Sequence, residues 1–439
     1  MSVLSNLSKL TPFSLGNKID KAKSVSKLSM MPKQIFLDYQ STTPVDLRVF
    51  KAMEPLLKNN FGNPHSRTHS FGWSAENAVE NGREKIADLI GCDKAEIIIT
   101  SGATESNNMA IKGFVDFYLK NLESDDTTQE KIHIITSTIE HKTVLDTLRR
   151  MESPSVAVTY LPVKSNGLVD PIELKKAIRP TTKLVSIMAV NNEIGTIQPL
   201  REIGKICKEN KIKFHTDAAQ GFGKIPLDVN DLNIDMMSIS GHKIYGPKGV
   251  GALYLRRRPR VRITPLFNGG GQERGLRSGT VAPFLVAGLG KAAQIAKTEM
   301  KQNFKNLEKK SDFFISKIKK EIKDVVINGE NTFPGCVNLS FPHVEGESLL
   351  MKLKDFALSS GSACTSSSLE PSYVLRALGT NDVLAHCSIR FGFGKDTTFK
   401  EVDNVAKQTI KSVKDLRKMS PLYEMEKKGI DLSSIKWTA

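Results

Sequence analysis

From residue 35 onward, short apolar runs rich in β-branched residues alternate with longer stretches in which apolar positions recur at helical spacing. This alternation predicts an α/β fold with a mainly parallel sheet, because each crossover between parallel strands uses a helix that covers a face of the sheet. The strand candidates are residues 96–100, 132–136, 184–190, 212–215, 236–239 and 250–255. We therefore expect one sheet flanked by helices.

Polar or small residues follow each of the first five candidate strands. The carboxyl ends of parallel strands lie at one edge of a sheet, and open α/β sheets bind their ligands there. We therefore expect five separate segments to line a single crevice. These segments are residues 101–104, 140–141, 191–193, 217–220 and 240–243.

The pattern changes after about Pro283, where long lysine-rich helical stretches such as residues 291–322 begin. A stretch of this kind is typical of a connecting helix that leads into a smaller domain. We place the domain boundary near Lys291. The predicted divisions are a leader or disordered tail at 1–32, a segment joining the small domain at 33–52, a large domain at 53–290 and a small domain at 291–439.

Composition narrows the possible classes of protein. With 439 residues and 39% hydrophobic content, the chain can bury the cores of two domains. It has no apolar run of the roughly 18 residues that cross a bilayer, so we expect no membrane span. The formal charge of +16 attracts acidic partners, but lysine is spread along the chain and only 7% of residues are aromatic, which argues against specific nucleic-acid binding. Five cysteines without CxxC spacing favour a reducing compartment over disulfides or a zinc site.

The first thirty residues contain several lysines and serines, and Asp20 is their only acidic residue. This composition favours an organelle-targeting leader. The absence of arginine leaves a disordered tail equally open.

One carboxylate and one lysine are expected at the same end of the sheet, since Asp217 closes one apolar run and Lys243 follows the next. A lysine amine can form a Schiff base with the aldehyde of pyridoxal phosphate (PLP). A carboxylate beside the pyridine nitrogen keeps that nitrogen protonated, so that the ring can accept electrons from a substrate carbanion. Asp217 can instead be a helix cap or a metal ligand, but no cluster of further ligands supports a metal. The pair predicts a PLP site.

Three further positions fit this cofactor. Thr104 lies where a strand turns into a helix, so that free N–H groups and a hydroxyl can hold a phosphate, although a simple helix cap is the alternative. His141 can lie against the cofactor ring or transfer protons, or it can be a hydrogen-bonded structural residue. Gln220, three residues after Asp217, can face the phenolic oxygen of the ring.

Two loops contain the remaining candidates. The glycine-rich run at 269–280 lacks the GK[ST] ending of a nucleotide loop, and we interpret it as a close-approach loop that brings Thr280 to the phosphate of a neighbouring subunit. Cys364 lies among small hydrophilic residues at 359–368, which cannot form a core. This run predicts an exposed, mobile loop with a reactive thiol, rather than the buried structural cysteine that a lone cysteine usually is.

Five motifs in the sequence are specific enough to indicate a protein family. They are Asp38-Tyr39 with Thr42-Thr43-Pro44, Phe61-Gly62-Asn63-Pro64, the run from Thr100 to Ser106, Ser240-Gly241-His242-Lys243, and the run from Ser359 to Leu378. Together they resemble the group I cysteine desulfurases of iron–sulfur cluster assembly, within the PLP-dependent class V aminotransferases. The resemblance extends from about Ile35 to the end of the chain.

The resemblance implies PLP fold-type I architecture: a large domain with a mainly parallel, seven-stranded sheet flanked by helices, plus a smaller α+β domain, in a homodimer. It also implies conversion of L-cysteine to L-alanine with the sulfur left as a persulfide on Cys364. Lys243 would hold the cofactor and move substrate protons, assisted by His141, and Asn192 and Arg390 would bind the substrate carboxylate. The cofactor contacts would be Ala103, Thr104, His141, Asn192, Asp217, Gln220, Ser240, His242, Lys243 and, from the partner subunit, Thr280.

Partners and location follow from the same resemblance. The basic strip at 256–262 would receive acidic partners such as frataxin and ferredoxin, and the C-terminal run at 420–437 would dock the iron–sulfur scaffold protein. A small eukaryotic accessory subunit and sulfur delivery for tRNA thiolation are also implied. No resident metal is implied, and Cys364 would ligate an iron–sulfur cluster only transiently. The expected location is a mitochondrion or a mitochondrion-related organelle, with the cytoplasm as the alternative.

Two other functions stay open at this point. One is a selenocysteine lyase or another PLP enzyme on the same fold, although Cys364 in its loop argues against an aminotransferase. The other is a non-catalytic docking subunit that keeps the fold. The presence of Lys243, Asp217, His141 and Cys364 together argues against that second function.

Overall fold

The computed structural model describes residues 34–121, 132–360 and 371–420, together with Tyr423. Its strands are β1 (Ile35–Phe36), β2 (Ile97–Thr100), β3 (Ile132–Ser137), β4 (Val156–Leu161), β5 (Thr182–Ser186), β6 (Lys213–Asp217), β7 (Met236–Ser240), β8 (Gly251–Leu255), β9 (Val326–Ile327), β10 (Cys336–Ser340), β11 (Phe356–Ala357) and β12 (Ser388–Gly392). Its helices are α1 (Leu47–Lys58), α2 (Ser70–Ile90), α3 (Ala103–Lys120), α4 (Lys142–Met151), α5 (Pro171–Ala177), α6 (Leu200–Glu209), α7 (Pro283–Glu321), α8 (Gly346–Lys352), α9 (Tyr373–Ala377), α10 (Asp382–His386) and α11 (Phe399–Lys418).

The central sheet has seven strands in the order β2-β8-β7-β6-β5-β3-β4. The five strands β3 to β7 are parallel to one another, whereas β8 is antiparallel to both of its neighbours, β2 and β7. Every residue of β2, β3, β7 and β8 is buried, as expected for a sheet covered by helices on its faces. The predicted fold class is confirmed.

Each of the six predicted strands is present in the central sheet, most of them with ends shifted by one or two residues, and the strands β1 and β9 to β12 outside that sheet were not predicted. The edge strand β4 was not predicted. Its central four residues are only partly buried, so that its apolar run resembles an amphipathic surface segment. The strand predicted at 184–190 ends as β5 at Ser186. Beyond that point the chain still bonds to β6, from Ile187 N to His215 O at 3.1 Å, without continuing the regular ladder.

The long helix α7 begins at Pro283, eight residues before the helical stretch predicted at 291–322. Proline fits this first position, because its fixed φ suits a helix and the N–H that it lacks would have no partner in the first turn. Gly290 lies against Gly82 of α2, and a Cβ on Gly290 would come within 2.5 Å of the Gly82 Cα. Further along, Phe314 stacks on Phe391 of β12 with ring centroids 4.7 Å apart. The helix thus packs on the seven-stranded region with one end and on the C-terminal region with the other. The boundary at Lys291 stays a prediction, and Lys291 lies inside this continuous helix.

The C-terminal region has a three-stranded antiparallel sheet in the order β12-β10-β9. The start of the described chain joins it, because β1 pairs in parallel with β11 and Asp38 forms a bridge with Gly392. The segment from Asp38 to Thr43 then runs toward the carboxyl ends of the large-sheet strands. Within the described ranges, none of the helices is both long and apolar enough to cross a membrane.

Candidate active site

A cavity of about 660 Å³ lies beyond the carboxyl ends of β5, β6 and β7. Ten of the predicted site residues line it: Ala103, Thr104, His141, Asn192, Asp217, Gln220, Ser240, His242, Lys243 and Arg390. The five segments that follow the candidate strands therefore meet in one place. We call this space the strand-end cavity.

Asp217 and Lys243 reach the strand-end cavity from neighbouring strands. Asp217 is the last residue of β6, and it pairs in register with Ser238 of β7. Lys243 closes the short 3₁₀ turn that follows β7. Its Nζ donates to two carbonyl oxygens of the N-terminal segment, Gln40 O at 2.8 Å and Ser41 O at 2.6 Å. The lysine is therefore held at the cavity wall by backbone acceptors.

The Asp217 carboxylate is 5% exposed and is held at both oxygens. Oδ1 accepts from Ala219 N at 2.9 Å, and Oδ2 accepts from Asn107 Nδ2 at 2.8 Å. Each oxygen keeps a lone pair that can face a pyridinium N–H. Asn107 was not among the predicted site residues. Its spacing of three residues after Thr104 places it on the same helix face, and that was the available signal.

His141 caps the N-terminus of α4 and lines the strand-end cavity. Its Nδ1 accepts from Thr143 N at 3.2 Å and lies 2.9 Å from Thr143 Oγ1. Burial lowers the pKa of His141 below its ordinary value, the nearby Asp217 carboxylate opposes that shift, and Lys243 adds to it. The ring is thus favoured in its neutral form.

The N-terminus of α3 forms a seat for an anion at one end of the cavity. Gly102 caps this helix with φ 154°, a region that favours glycine, and no side chain bonds to the first free N–H groups of the helix. These N–H groups and the helix dipole favour a phosphate at Ala103 and Thr104. Across the seat, His242 Nδ1 lies 3.1 Å from Thr42 Oγ1. Burial, followed by the charge of Lys243, lowers the pKa of His242 to about 4.

Arg390 and Asn192 form the opposite end of the cavity. Arg390 Nη1 donates to Asn192 O at 2.7 Å, and Nη2 donates to Asp38 Oδ1 at 2.7 Å. The guanidinium, whose side chain is 7% exposed, is therefore fixed in orientation. The side-chain oxygen of Asn192 is buried and has no partner among the described residues. An orphaned polar atom at a cavity wall is a position that a ligand can satisfy.

Three predicted residues differ from this picture. The amide of Gln220 lines the cavity but is already engaged: Nε2 donates to Gln40 O at 2.7 Å, and Oε1 accepts from Lys224 Nζ at 2.8 Å. Burial lowers the pKa of Lys224 to about 7, and this lysine was not among the predicted site residues. Thr280 is exposed and does not line the cavity of its own chain. Cys364 lies outside the described residues, as does the C-terminal run beyond Tyr423.

Known proteins resemble the chain over almost its whole length. The family model described as aminotransferase class-V matches residues 35–405. A mitosomal cysteine desulfurase of Encephalitozoon cuniculi (strain GB-M1) is 63% identical over 408 residues, 93% of this chain and 93% of that protein. The cysteine desulfurase of Homo sapiens is 60% identical over 408 residues, 92% of this chain and 87% of that protein. A solved structure titled NifS-like protein superposes with a TM-score of 0.78 at 37% identity, covering 86% of this chain and 98% of that one.

The chain therefore belongs to the class-V aminotransferase family, whose enzymes depend on PLP. Within that family it belongs to the cysteine desulfurases, which act on L-cysteine and supply sulfur for iron–sulfur clusters, and it has their dimeric fold. The predicted family, cofactor and enzyme class are confirmed. The predicted location in a mitochondrion or a mitochondrion-related organelle is confirmed by the mitosomal relative.

The residues of the strand-end cavity fit PLP. An uncapped helix N-terminus suits the phosphate, a buried carboxylate at Asp217 suits the pyridinium, and Lys243 provides an amine between them. The side-chain oxygen of Asn192, which has no partner among the described residues, is a hydrogen-bond acceptor that a ligand can satisfy.

Proposed function

We propose that this protein converts L-cysteine to L-alanine in the strand-end cavity and leaves the sulfur as a persulfide on Cys364. The observation that carries this proposal is the meeting of Lys243, Asp217 and Arg390 around one cavity, with an anion seat at its far end. A lysine, an acid and a carboxylate-binding arginine are the groups that PLP chemistry on an amino acid requires.

PLP, when bound, supplies an electron sink for the α-carbon of the substrate. Asp217 would hold the proton of the ring nitrogen, since both of its oxygens are oriented by hydrogen bonds from Asn107 and Ala219. Lys243 would hold the cofactor covalently and move the α-proton of the substrate. His141 would lie beside the ring and exchange a proton with the substrate.

The two ends of the substrate complex would be bound by different groups. Thr104, Ser240 and His242, together with the N–H groups of α3, would hold the phosphate, and Thr280 of the second protomer would complete that site. Arg390 would bind the substrate carboxylate with its fork, because its guanidinium is already oriented by Asp38 and by Asn192 O.

Sulfur transfer would take place at Cys364. Its thiolate attacks the sulfur of the substrate, so that an S–S bond forms and the C–S bond breaks. The electron pair of that bond stays on the substrate carbon, which takes up a proton and becomes the methyl group of alanine. The persulfide sulfur then passes to an acceptor thiol.

Partners beyond the second protomer belong to this proposal as well. The exposed strip that includes Arg257, Arg258 and Arg260 presents positive charge suited to acidic proteins such as frataxin and ferredoxin. The C-terminal run that contains Trp437 would dock the scaffold protein. A small accessory subunit and tRNA thiolation would be further partners and uses of the same persulfide.

The test is to incubate the holoenzyme with L-cysteine and a reductant and to measure alanine and sulfide together. Wild type should yield both in equal amounts, and the Cys364→Ala variant should lose sulfide release while it keeps its bound cofactor. Equal yields from the two proteins would contradict the persulfide assignment. Selenocysteine as substrate in the Cys364→Ala variant separates a lyase from a desulfurase, because only a lyase would retain full turnover.

A further inference from the structure

We propose that Asn107 and Thr143 are positioning residues that fix the ring proton of neutral His141 on Nε2. This inference rests on the proposed role of His141 in proton transfer, and it adds the form in which the ring acts. Neither residue was among the predicted site residues, and their side chains bond to two of those residues, Asp217 and His141.

A chain of three side-chain hydrogen bonds connects Asp217 to His141. Asn107 Nδ2 lies 2.8 Å from Asp217 Oδ2 and 2.9 Å from Thr143 Oγ1. Thr143 Oγ1 lies 2.9 Å from His141 Nδ1. Asn107 is fully buried, and the side chains belong to three different elements, α3, the end of β6 and the start of α4. This chain of hydrogen bonds therefore links segments that are distant in sequence.

Chemistry fixes the direction of each bond. An amide nitrogen can only donate, so Asn107 gives one hydrogen to Asp217 and the other to Thr143. The Thr143 hydroxyl accepts from Asn107, and its own hydrogen is then free to be donated to His141 Nδ1. The backbone N–H of Thr143 also donates to that nitrogen, at 3.2 Å. With two donors directed at it, Nδ1 must be the unprotonated nitrogen.

The reversed amide of Asn107 would break this chain. It would set an amide oxygen 2.8 Å from a carboxylate oxygen, where two acceptors repel. In the observed orientation, Asn107 Oδ1 is buried without a partner among the described residues. A buried unpaired carbonyl is unfavourable, so its retention indicates that the two donated bonds matter more.

The neutral ring of His141, which lines the strand-end cavity, therefore has its hydrogen on Nε2. In this form Nε2–H can donate a hydrogen bond, whereas transfer of that proton would leave an imidazolate. Protonation at Nδ1 would displace both donors of Thr143, which agrees with the lowered pKa of this histidine. The contacts of Nδ1 thus leave Nε2–H as the hydrogen-bond donor that His141 presents.

The direct test is the tautomer of His141 in the holoenzyme. The protein has eight histidines, so ¹⁵N-histidine labelling gives a small set of ring signals, and the His141→Gln variant assigns one of them. Wild type should show the Nε2–H form, and Thr143→Val should show a mixed or Nδ1–H population. Thr143→Ser should restore the wild-type form. An Nδ1–H ring in wild type, or an unchanged ring in Thr143→Val, would overturn the proposal.

A matched control lies one turn further along α4. Thr147 is also buried, and its hydroxyl donates to Thr143 O at 2.7 Å without touching His141. Thr147→Val should leave the His141 tautomer as in wild type, whereas a shift equal to that of Thr143→Val would indicate a general packing effect and contradict the relay. The visible absorption of bound PLP verifies that each variant is folded and loaded.

Steady-state kinetics separates this proposal from the function on which it rests. Thr143→Val should lower kcat by about fivefold to tenfold, the size expected for one lost hydrogen bond, with KM for cysteine nearly unchanged. If His141→Gln keeps full turnover, the catalytic role of His141 fails, and the tautomer measurement still decides the relay. If His141→Gln is inactive but Thr143→Val matches wild type in kcat and ring signal, only the relay fails.

Discussion

Two cavities of similar size occur in the described part of this protein, and they differ in how their polar groups are held. The strand-end cavity measures about 660 Å³, and a second cavity, the arginine hollow, measures about 600 Å³. In the first, groups such as Asp217 and Arg390 are buried and oriented by hydrogen bonds. The arginines that line the second are Arg256, Arg257, Arg258, Arg260, Arg262 and Arg274.

Most of these arginines are exposed at the end of β8, where they can move and are screened by salt. Volume and charge alone therefore do not distinguish a reaction site from a docking surface. A reaction site differs from a docking surface because its buried groups are held in fixed orientations. Such groups need little reorganisation during a reaction. Exposed charge of one sign instead speeds the encounter with an oppositely charged partner.

The largest expected effect is the loss of Lys243. Lys243→Ala should lose the visible absorption of the covalently bound cofactor, and alanine formation should fall by about 10⁴-fold or more, because the proposed function has this lysine both hold the cofactor and move protons. Spectra and alanine assays measure the two effects. Lys248 also lines the strand-end cavity, but Lys248→Ala should keep the absorption band. If only the Lys248→Ala variant lost the band, the cofactor would be bound to Lys248 and not to Lys243.

The next effect is at Asp217. Asp217→Asn should retain covalent PLP, while kcat for cysteine should fall by about 10²- to 10³-fold, the size found when one oriented electrostatic contact to a transition state is removed. The measurement is kcat together with the absorption spectrum of the resting enzyme. A variant with normal kcat would show that the carboxylate is only structural.

A pH effect on stability is expected at Glu140, which is buried next to His141 of the strand-end cavity. Burial raises the pKa of Glu140, the neighbour of His141, to about 8. The folded protein thus binds a proton that the unfolded chain releases above about pH 4.5. The resulting stabilisation is complete below that pH and is lost as the pH rises through 8, with a total on the order of 5 kcal/mol. Glu140→Gln should remove this pH dependence.

Denaturant unfolding of wild type and Glu140→Gln between pH 4.5 and 8 measures this contribution. The difference between their free energies of unfolding cancels the titration of other groups, and the wild type should weaken relative to the variant as pH rises. A constant difference across that range would show that Glu140 is ionised in the folded protein.

The smallest effect on turnover is expected in the arginine hollow. Reversing two exposed charges, Arg258→Glu with Arg260→Glu, should leave alanine formation by the isolated enzyme within about twofold, since exposed charges contribute little locally. The same variant should bind an acidic partner about tenfold more weakly at low salt, and less so at high salt. Calorimetry at two salt concentrations measures this. A large loss of turnover would place the hollow in the reaction site.

Much of the fold and of the site could be predicted, because strand ends leave a clear signal. A buried apolar run that closes in Asp217 or precedes Lys243 predicts both the strand and the place of its polar end. The edge strand β4 lacked that signal, since it is only partly buried and no chemistry follows it. The helical stretch predicted at 291–322 starts eight residues late, because the change of pattern near Pro283 marks a boundary and the proline itself occupies the first helical position.

The residues that orient the site were not predictable in the same way. Asn107 acts through partners that are far away in sequence, since 110 residues separate it from Asp217 and 36 separate it from Thr143, whereas Lys224 donates to Gln220 only four residues before it. The spacing of Asn107 after Thr104 indicates only a shared helix face and does not reveal the contact with Asp217, because an asparagine on a helix or a lysine after a glycine has ordinary local roles. Their function emerges only when the packed elements bring the partners together.

The central claim is that Lys243, of all the lysines around the strand-end cavity, binds the cofactor. Borohydride reduction of the holoenzyme, followed by proteolysis and mass spectrometry, tests it most directly. We expect the reduced cofactor on the peptide that contains Lys243, and on neither Lys224 nor Lys248. A cofactor attached to either of those lysines, or a chain without any label under saturating PLP, would contradict the account.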